Sequence, residues 1–291
     1  MAGRTYAEPR SVEQAAGILA ELGPRAGVVA GGTDLVVGAR SGKKPLPEAI
    51  VAVHRIAELE GMANGAGLRL GALVTHGELE SSELVRAGWS ALSDASALVG
   101  SPATRHVGTI GGNLCNASPA AESASPLLVF GASVELRSAG GTRTLPVAEF
   151  LLGPGKSALA PGELLTGVTV PMLPERSGSA YVRLEYRQAM EIAVVGAAAL
   201  VALDAGGRVA EARVALTAVA PTCVRAPAVE DSLRGKEPTA EALSAAAALA
   251  AEAARPIDDV RAPAAYRRAM VPVIVRRALE RAVERARRAE G

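Results

Sequence analysis

The sequence predicts an α+β protein of two domains, and three observations carry that prediction. Apolar strands run into glycine pairs early in the chain. Short strands and helices alternate up to about residue 175, and beyond it a run of strands gives way to a run of helices. A chain of 291 residues is long enough for two cores. Its 49% hydrophobic and 21% charged content is the balance of a globular protein and not of a disordered one.

Taken in order, a helix is predicted over 11–22, opened by a capping box of Ser11 and Gln14. A strand at 27–30 runs into Gly31-Gly32-Thr33-Asp34 and a short helical segment, and 49–53 is the next strand, a βαβ-like unit. Then come a strand at 67–75, a helix around 79–84 and a buried helix at 89–99. A second glycine turn, 108–113, leads through a loop to a helix at 121–130 and a strand at 133–137. Gly140-Gly141 joins that strand to 142–145 as a hairpin. Strand 164–170 ends at Pro171, and 172–179 reads as a linker. Past a boundary near 176, strands are predicted at 181–188, 192–203 and 210–219, then helices at 239–254 and 263–290.

Bulk properties exclude several function classes. With 31 basic against 30 acidic residues there is no general basic footprint for nucleic acid. No apolar run reaches the roughly 18 residues needed to span a bilayer, and the N-terminus lacks the apolar stretch of a secretory signal. The expected location is the cytoplasm, with no transmembrane segment. Two cysteines, Cys115 and Cys223, and three scattered histidines provide neither an iron–sulfur nor a zinc ligand set. Redox chemistry in this chain therefore requires an organic cofactor.

The chemistry-bearing signals are the two glycine turns. In AGGTDL, glycines directly after a strand allow positive φ and remove a Cβ that would block a ligand. Successive N–H groups in such a turn can point at one anion. TIGGN (109–113) repeats the arrangement, and the two together suit one pyrophosphate held from both sides. A plain tight turn explains a single Gly-Gly pair equally well. Neither turn is a GxGxxG fingerprint opening a helix. Gly155-Lys156-Ser157 mimics the end of a phosphate-binding P-loop, but Phe150 replaces its first glycine and Pro161 interrupts the helix that should follow.

At these residues the chain resembles the FAD-binding (medium) subunit of the xanthine dehydrogenase and carbon monoxide dehydrogenase family of molybdenum hydroxylases. AGGTDL matches the family's first FAD loop and TIGGNLCNASPAAE (109–122) its second. LRLGALVTH (68–76), FLLGPGKSALAPGELLTGVTVP (150–171), RLEYRQAMEIAVV (183–195), AVAPTCVRA (218–226) and RAPAAYRRAMVPVIVRRAL (261–279) follow in register. The resemblance implies a two-subdomain FAD-binding domain of the vanillyl-alcohol-oxidase/PCMH type over 1–175, with subdomains about 1–58 and 59–175. A smaller α+β domain, an antiparallel sheet with helices, would occupy 176–291.

The resemblance also implies a site. The FAD pyrophosphate would lie on Val29, Ala30, Gly31, Gly32, Thr33, Asp34 and Leu35 from one side. Thr109, Gly111, Gly112 and Asn113 would hold it from the other. Cys115 and Leu165 would fall near the flavin ring, and Glu122 where the family usually has an Asp contacting the ribose region. Arg183 stands where lysine is common, and Glu191 where Asp is usual. Arg183 keeps the charge but is planar and cannot give up its proton. His106, near the second loop, is the histidine placed to touch cofactor, whereas His54 and His76 read as surface or structural residues. Tyr181 and Tyr186 read first as sheet tyrosines.

In function, the resemblance implies an FAD-carrying electron-transfer subunit with no catalytic acid, base or nucleophile of its own. It would take electrons from 2Fe–2S clusters on a small partner subunit and pass them to a terminal acceptor. A large partner would carry the molybdenum cofactor, in a dimer of heterotrimers. Alternatives are a self-sufficient flavin reductase or oxidase on the same fold, or a scaffold without FAD. The arginines of 263–290 suit either a solvated face or a partner interface. Under the second reading, deleting 263–291 leaves FAD bound and prevents assembly.

Overall fold

The computed structural model describes residues 5–42, 44–187 and 189–288. Gln188 and residues 289–290, which end the predicted strand 181–188 and the last predicted helix, lie outside the described residues. The first layer holds β1 (Thr5–Ala7), α1 (Val12–Leu22), β2 (Ala26–Val29), α2 (Thr33–Arg40) and β3 (Ala49–Ala52). Its sheet is parallel in the order β1-β3-β2, so β2-α2-β3 is the predicted βαβ unit. Ser11 caps α1 by accepting the Gln14 N–H at 3.1 Å. The Gln14 side chain reaches Arg10 N–H and not that of Ser11, so only half of the predicted box forms.

The next segment contains β4 (Met62–Asn64), β5 (Gly67–Gly71), α3 (His76–Ser81), α4 (Glu83–Gly88), α5 (Ser90–Ser96), α6 (Pro102–Arg105), α7 (Ile110–Asn116) and α8 (Ala124–Phe130). It continues with β6 (Ser133–Ser138), β7 (Gly141–Pro146), α9 (Val147–Phe150), β8 (Leu151–Gly153), β9 (Lys156–Ser157) and β10 (Leu164–Pro171). An antiparallel sheet of order β4-β5-β10-β6-β7 organises it. Three expectations change here. The strand read as 67–75 stops at Gly71, where a turn closed by Val74 N–H on Gly71 C=O leads to the Thr75 capping box. The helix read at 79–84 is two helices, broken at Ser82, which caps the second. The second glycine turn is no strand-end turn at all: it is the first turn of α7, capped by Thr109. The P-loop mimic is the end of the turn after β8 (Gly155) and the strand β9 itself (Lys156–Ser157).

The last layer is β11 (Ser177–Leu184), β12 (Val195–Leu203), β13 (Val209–Thr217), β14 (Val224–Arg225), α10 (Pro227–Leu233), α11 (Ala240–Ala248) and α12 (Ala264–Arg288). Residues 177–179, read as linker, already belong to β11. The antiparallel order β11-β12-β13-β14 places one face under α12, whose Val271, Ile274, Val275, Ala278, Leu279 and Val283 are buried. The arginines of α12 are not one surface. Arg267 is 2% exposed and donates to the carbonyls of Val194 and Ala218. Arg281 and Arg285 pair with Asp94 on α5, across to the other layer. Removing 263–291 would strip this sheet of its covering helix, so the deletion cannot separate FAD binding from assembly. Among the described residues no helix is long and apolar enough to cross a membrane.

Candidate functional site

A cavity of about 560 Å³ opens between the parallel layer and the five-stranded sheet, a size typical of small-molecule and cofactor sites. The end of β2 and the start of α2 form one wall, with Val29, Ala30, Gly31, Gly32, Thr33, Asp34 and Leu35 all lining it. Opposite stand Thr109, Gly111, Gly112, Asn113 and Cys115 from α7, and Leu165 from β10. The structure thus brings together thirteen of the predicted site residues around one space.

How the glycines act differs from the sequence expectation. A Cβ on Gly31 would lie 1.7 Å from the Val107 carbonyl oxygen, so this glycine lets the two loops touch each other. Gly111 does the same against Ala72, where a Cβ would lie 2.7 Å from the carbonyl oxygen. Gly32 sits at φ 69°, the left-handed region, and begins α2 with no side-chain cap. The Thr33, Asp34 and Leu35 N–H groups bond nothing among the described residues. An uncapped helix start carries partial positive charge and free donors, the requirements of a phosphate group.

The second turn offers no such donors. Ile110 and Gly111 N–H bond the Val74 and Ala72 carbonyls at 2.9 and 3.0 Å. Gly112 N–H bonds Thr109 Oγ1 at 3.1 Å. What remains here is side chain: the Ser123 hydroxyl donates to Asn113 Oδ1 at 2.6 Å, and the Asn113 NH₂ end is unengaged among the described residues. A pyrophosphate would therefore be held by α2 backbone on one side and by side chains on the other. Leu19, Leu59, Leu159 and Leu165 supply apolar walls for flat rings, so the residues present fit an FAD.

Three predicted contacts fall elsewhere. His106 is exposed and does not line the cavity, because the turn after α6 carries it outward. Glu122 and Arg183 are buried against each other, with Nη1 to Oε1 at 2.6 Å, and neither lines the cavity. Tyr181 donates its hydroxyl to Glu122 Oε2, and Arg183 also pairs with Glu185. Burial pushes the Glu122 carboxyl up against the pull of Arg183 and Tyr181. The side chains are long enough to close on one another across the boundary between the layers. Glu191, the third departure, pairs with Arg187.

Some lining residues escaped sequence reasoning. His76, assigned a structural role, is 1% exposed and lines the cavity. Burial first and Arg105 second lower its pKa to about 4. Lys44 lines the mouth, and Asp34 beside it is pushed up by burial while Lys44 pulls the other way. Residues 159–163 form a wall fixed by Arg143, whose Nε and Nη2 meet the Glu163 carboxylate at 2.6 and 2.7 Å. The Pro161-Gly162 turn was the available signal for that wall. His54, by contrast, lies at the surface against Glu8, as expected. Cys115 borders the cavity largely buried and Cys223 is buried, and burial raises both thiols to about 12.

Comparisons agree with this geometry. Residues 2–173 match the model for the FAD binding domain in molybdopterin dehydrogenase, and 180–282 that for the CO dehydrogenase flavoprotein C-terminal domain. The chain is 33% identical to the 6-hydroxypseudooxynicotine dehydrogenase complex subunit alpha of Paenarthrobacter nicotinovorans, over 97% of this chain and 95% of that one. It is 31% identical to the putative xanthine dehydrogenase FAD-binding subunit of Escherichia coli, over 97% of each chain. Among solved structures, a carbon monoxide dehydrogenase chain from Hydrogenophaga pseudoflava superposes with a TM-score of 0.92 at 34% identity, covering 97% of this chain and 98% of that one.

Proposed function

The chain belongs to the family of FAD-binding medium subunits of the carbon monoxide dehydrogenase and xanthine dehydrogenase molybdenum hydroxylases, and on that premise we propose that it is the electron-transfer flavoprotein of such a complex. The observation that carries the reading is the cavity itself, with an uncapped α2 start facing α7 across it. Residues 1–175 are assigned to cofactor binding and 176–291 to the domain that closes on it. Bound FAD supplies the redox chemistry, relaying electrons from the 2Fe–2S clusters of a small partner to a terminal acceptor. The chain's own groups bind and orient: α2 backbone and Asn113 hold phosphate, and the leucine walls exclude water from the rings. The molybdenum cofactor belongs to a large partner, in a cytoplasmic dimer of heterotrimers.

The chain's identities to subunits of complexes named for 6-hydroxypseudooxynicotine and xanthine are nearly equal, 33% and 31%. Substrate choice is therefore assigned to the large subunit. Tagged protein purified from its native host tests the reading. Flavin absorption together with a larger and a smaller chain, iron and molybdenum is the expected result. Flavin on a solitary chain that turns over a substrate would establish the self-sufficient enzyme instead, and an eluate without flavin would overturn both.

A further inference from the structure

We propose that His76 is a cofactor-contacting residue that donates its Nε2–H to the pyrophosphate of FAD. The inference rests on the FAD reading above and adds to it a residue outside both glycine loops. His76 opens α3 at the end of the turn after β5, and its backbone N–H bonds the Gly108 carbonyl at 3.0 Å. That bond places the imidazole beside the loop that touches Gly31. Its Cδ2 lies 3.5 Å, and Thr33 Oγ1 3.8 Å, from the point a Cβ on Gly108 would occupy. The ring and the Thr33 side chain at the start of α2 thus flank the same glycine, no more than about 7.3 Å apart.

The hydrogen bonds select the tautomer. The side chain has one partner among the described residues, Ser96 Oγ, 3.5 Å from Nδ1. Ser96 is fully buried on α5, and its hydroxyl has no other acceptor among the described residues. With the serine proton directed at Nδ1, the imidazole carries its own proton on Nε2. That donor lies in a residue 1% exposed, on the wall of the cavity, with no protein partner among the described residues. Nε2 is not one of the side-chain atoms sealed off without a partner, so it opens on the cavity and its partner is whatever fills that space. Phosphate oxygen is the acceptor that the neighbouring α2 start recruits to this spot. Burial and Arg105 keep the ring neutral, so it serves as a directional donor and not as a countercharge.

The test uses the full chain stripped of flavin and titrated with FAD by flavin fluorescence, with the wild type, His76→Leu and His76→Gln compared. The phosphorus NMR resonances of bound FAD give a second readout. Loss of a hydrogen bond to a charged acceptor should weaken binding by about tenfold to a hundredfold in His76→Leu. A phosphorus resonance should shift, and His76→Gln, which keeps a donor at the same reach, should restore most of the affinity. Without flavin, both variants lose the Ser96 contact and should melt lower by a similar amount, so the difference in affinity between them reports the Nε2 donor alone. Wild-type affinity in His76→Leu, or affinity lost together with flavin-free stability and not rescued by glutamine, would overturn the proposal. A wild-type chain that takes up no FAD would overturn the reading beneath it as well.

Discussion

Gly31→Ala isolates what the glycine loops do. The added methyl carbon would sit 1.7 Å from the Val107 carbonyl oxygen, and real Cβ contacts essentially never fall below 3.0 Å. The two loops must therefore part by at least about 1.3 Å. Because both obstructing atoms are backbone, no side-chain rotation relieves the clash. A shift of that size takes a 2.9 Å hydrogen bond beyond useful range. Losing two of the three α2 donors to a phosphate, at about 1.5–3 kcal/mol each, weakens FAD binding at least about a hundredfold. Two controls set the scale. Gly32→Ala has no neighbour closer than 3.5 Å but a left-handed φ of 69°, which costs about 1–2 kcal/mol. Gly112→Ala meets only the Thr109 hydroxyl, at 3.0 Å. Affinity by flavin fluorescence should fall furthest in Gly31→Ala and least in Gly112→Ala, with circular dichroism confirming the fold of each. A Gly31→Ala chain binding within about threefold of wild type would refute the argument that loop-to-loop contact sets the donors.

Other consequences are quicker to state. Asp94 accepts from Arg285 at 2.6 and 2.9 Å and from the Tyr181 N–H at 3.1 Å, tying α5 to the last layer. Asp94→Ala should cost about 3 kcal/mol in urea unfolding and separate the transitions of the two layers, and a single unshifted transition would contradict that role. Burial pushes the Asp259 carboxyl up, but the Arg261 N–H and guanidinium, then Arg267, outweigh it and hold it at about 2. Its folded pKa is thus below the unfolded value of about 3.9, so its contribution is present above pH 4 and lost as pH falls toward 2. Acid titration of Asp259→Asn should show a less stable protein at pH 7 whose deficit vanishes near pH 2. With thiols at about 12, Cys115 and Cys223 should react with iodoacetamide at pH 8 roughly a thousandfold more slowly than free cysteine, as mass spectrometry can count.

Local pattern carried much of the architecture. The β2-α2-β3 unit was legible because an apolar run ended in Gly-Gly and another followed at crossover distance. Three of the four strands of the last layer and its long helix were legible as strand-like and helical runs, and two-residue β14 was not. What failed was chemistry decided between distant segments. Ile110-Gly111-Gly112 reads as a turn, since glycine is a poor helix former. It is helical here because Gly111 must pass close to Ala72 and Thr109 is present to cap. The donors of the two turns look alike in sequence, yet only those of α2 are free, and which are free depends on carbonyls at Ala72 and Val74. His76 carried no periodic signal of its own, and its burial comes from α5 and the turn at Gly108.

Glu122 and Arg183 show the same limit and yield a further test. The resemblance leads one to expect Asp and lysine at these places, and the two departures look independent in sequence. In the fold they are one unit, 2.6 Å apart, with Tyr181 on the second oxygen of Glu122 and Glu185 on the other side of the guanidinium. A carboxylate buried in this network, off the wall of the cavity, is not placed to meet a ribose there. Glu122→Gln should therefore act on stability and scarcely on the cofactor. Removing one charge from a pair whose side chains are 1% and 7% exposed leaves the guanidinium with Glu185 alone, at a cost of about 1–3 kcal/mol. The FAD dissociation constant should change less than about threefold. In Tyr181→Phe the carboxylate loses its second donor, and the two changes should be strongly non-additive because they dismantle one network. An affinity loss above about tenfold in Glu122→Gln, with stability unchanged, would return this residue to the ribose contact that the family pattern implies.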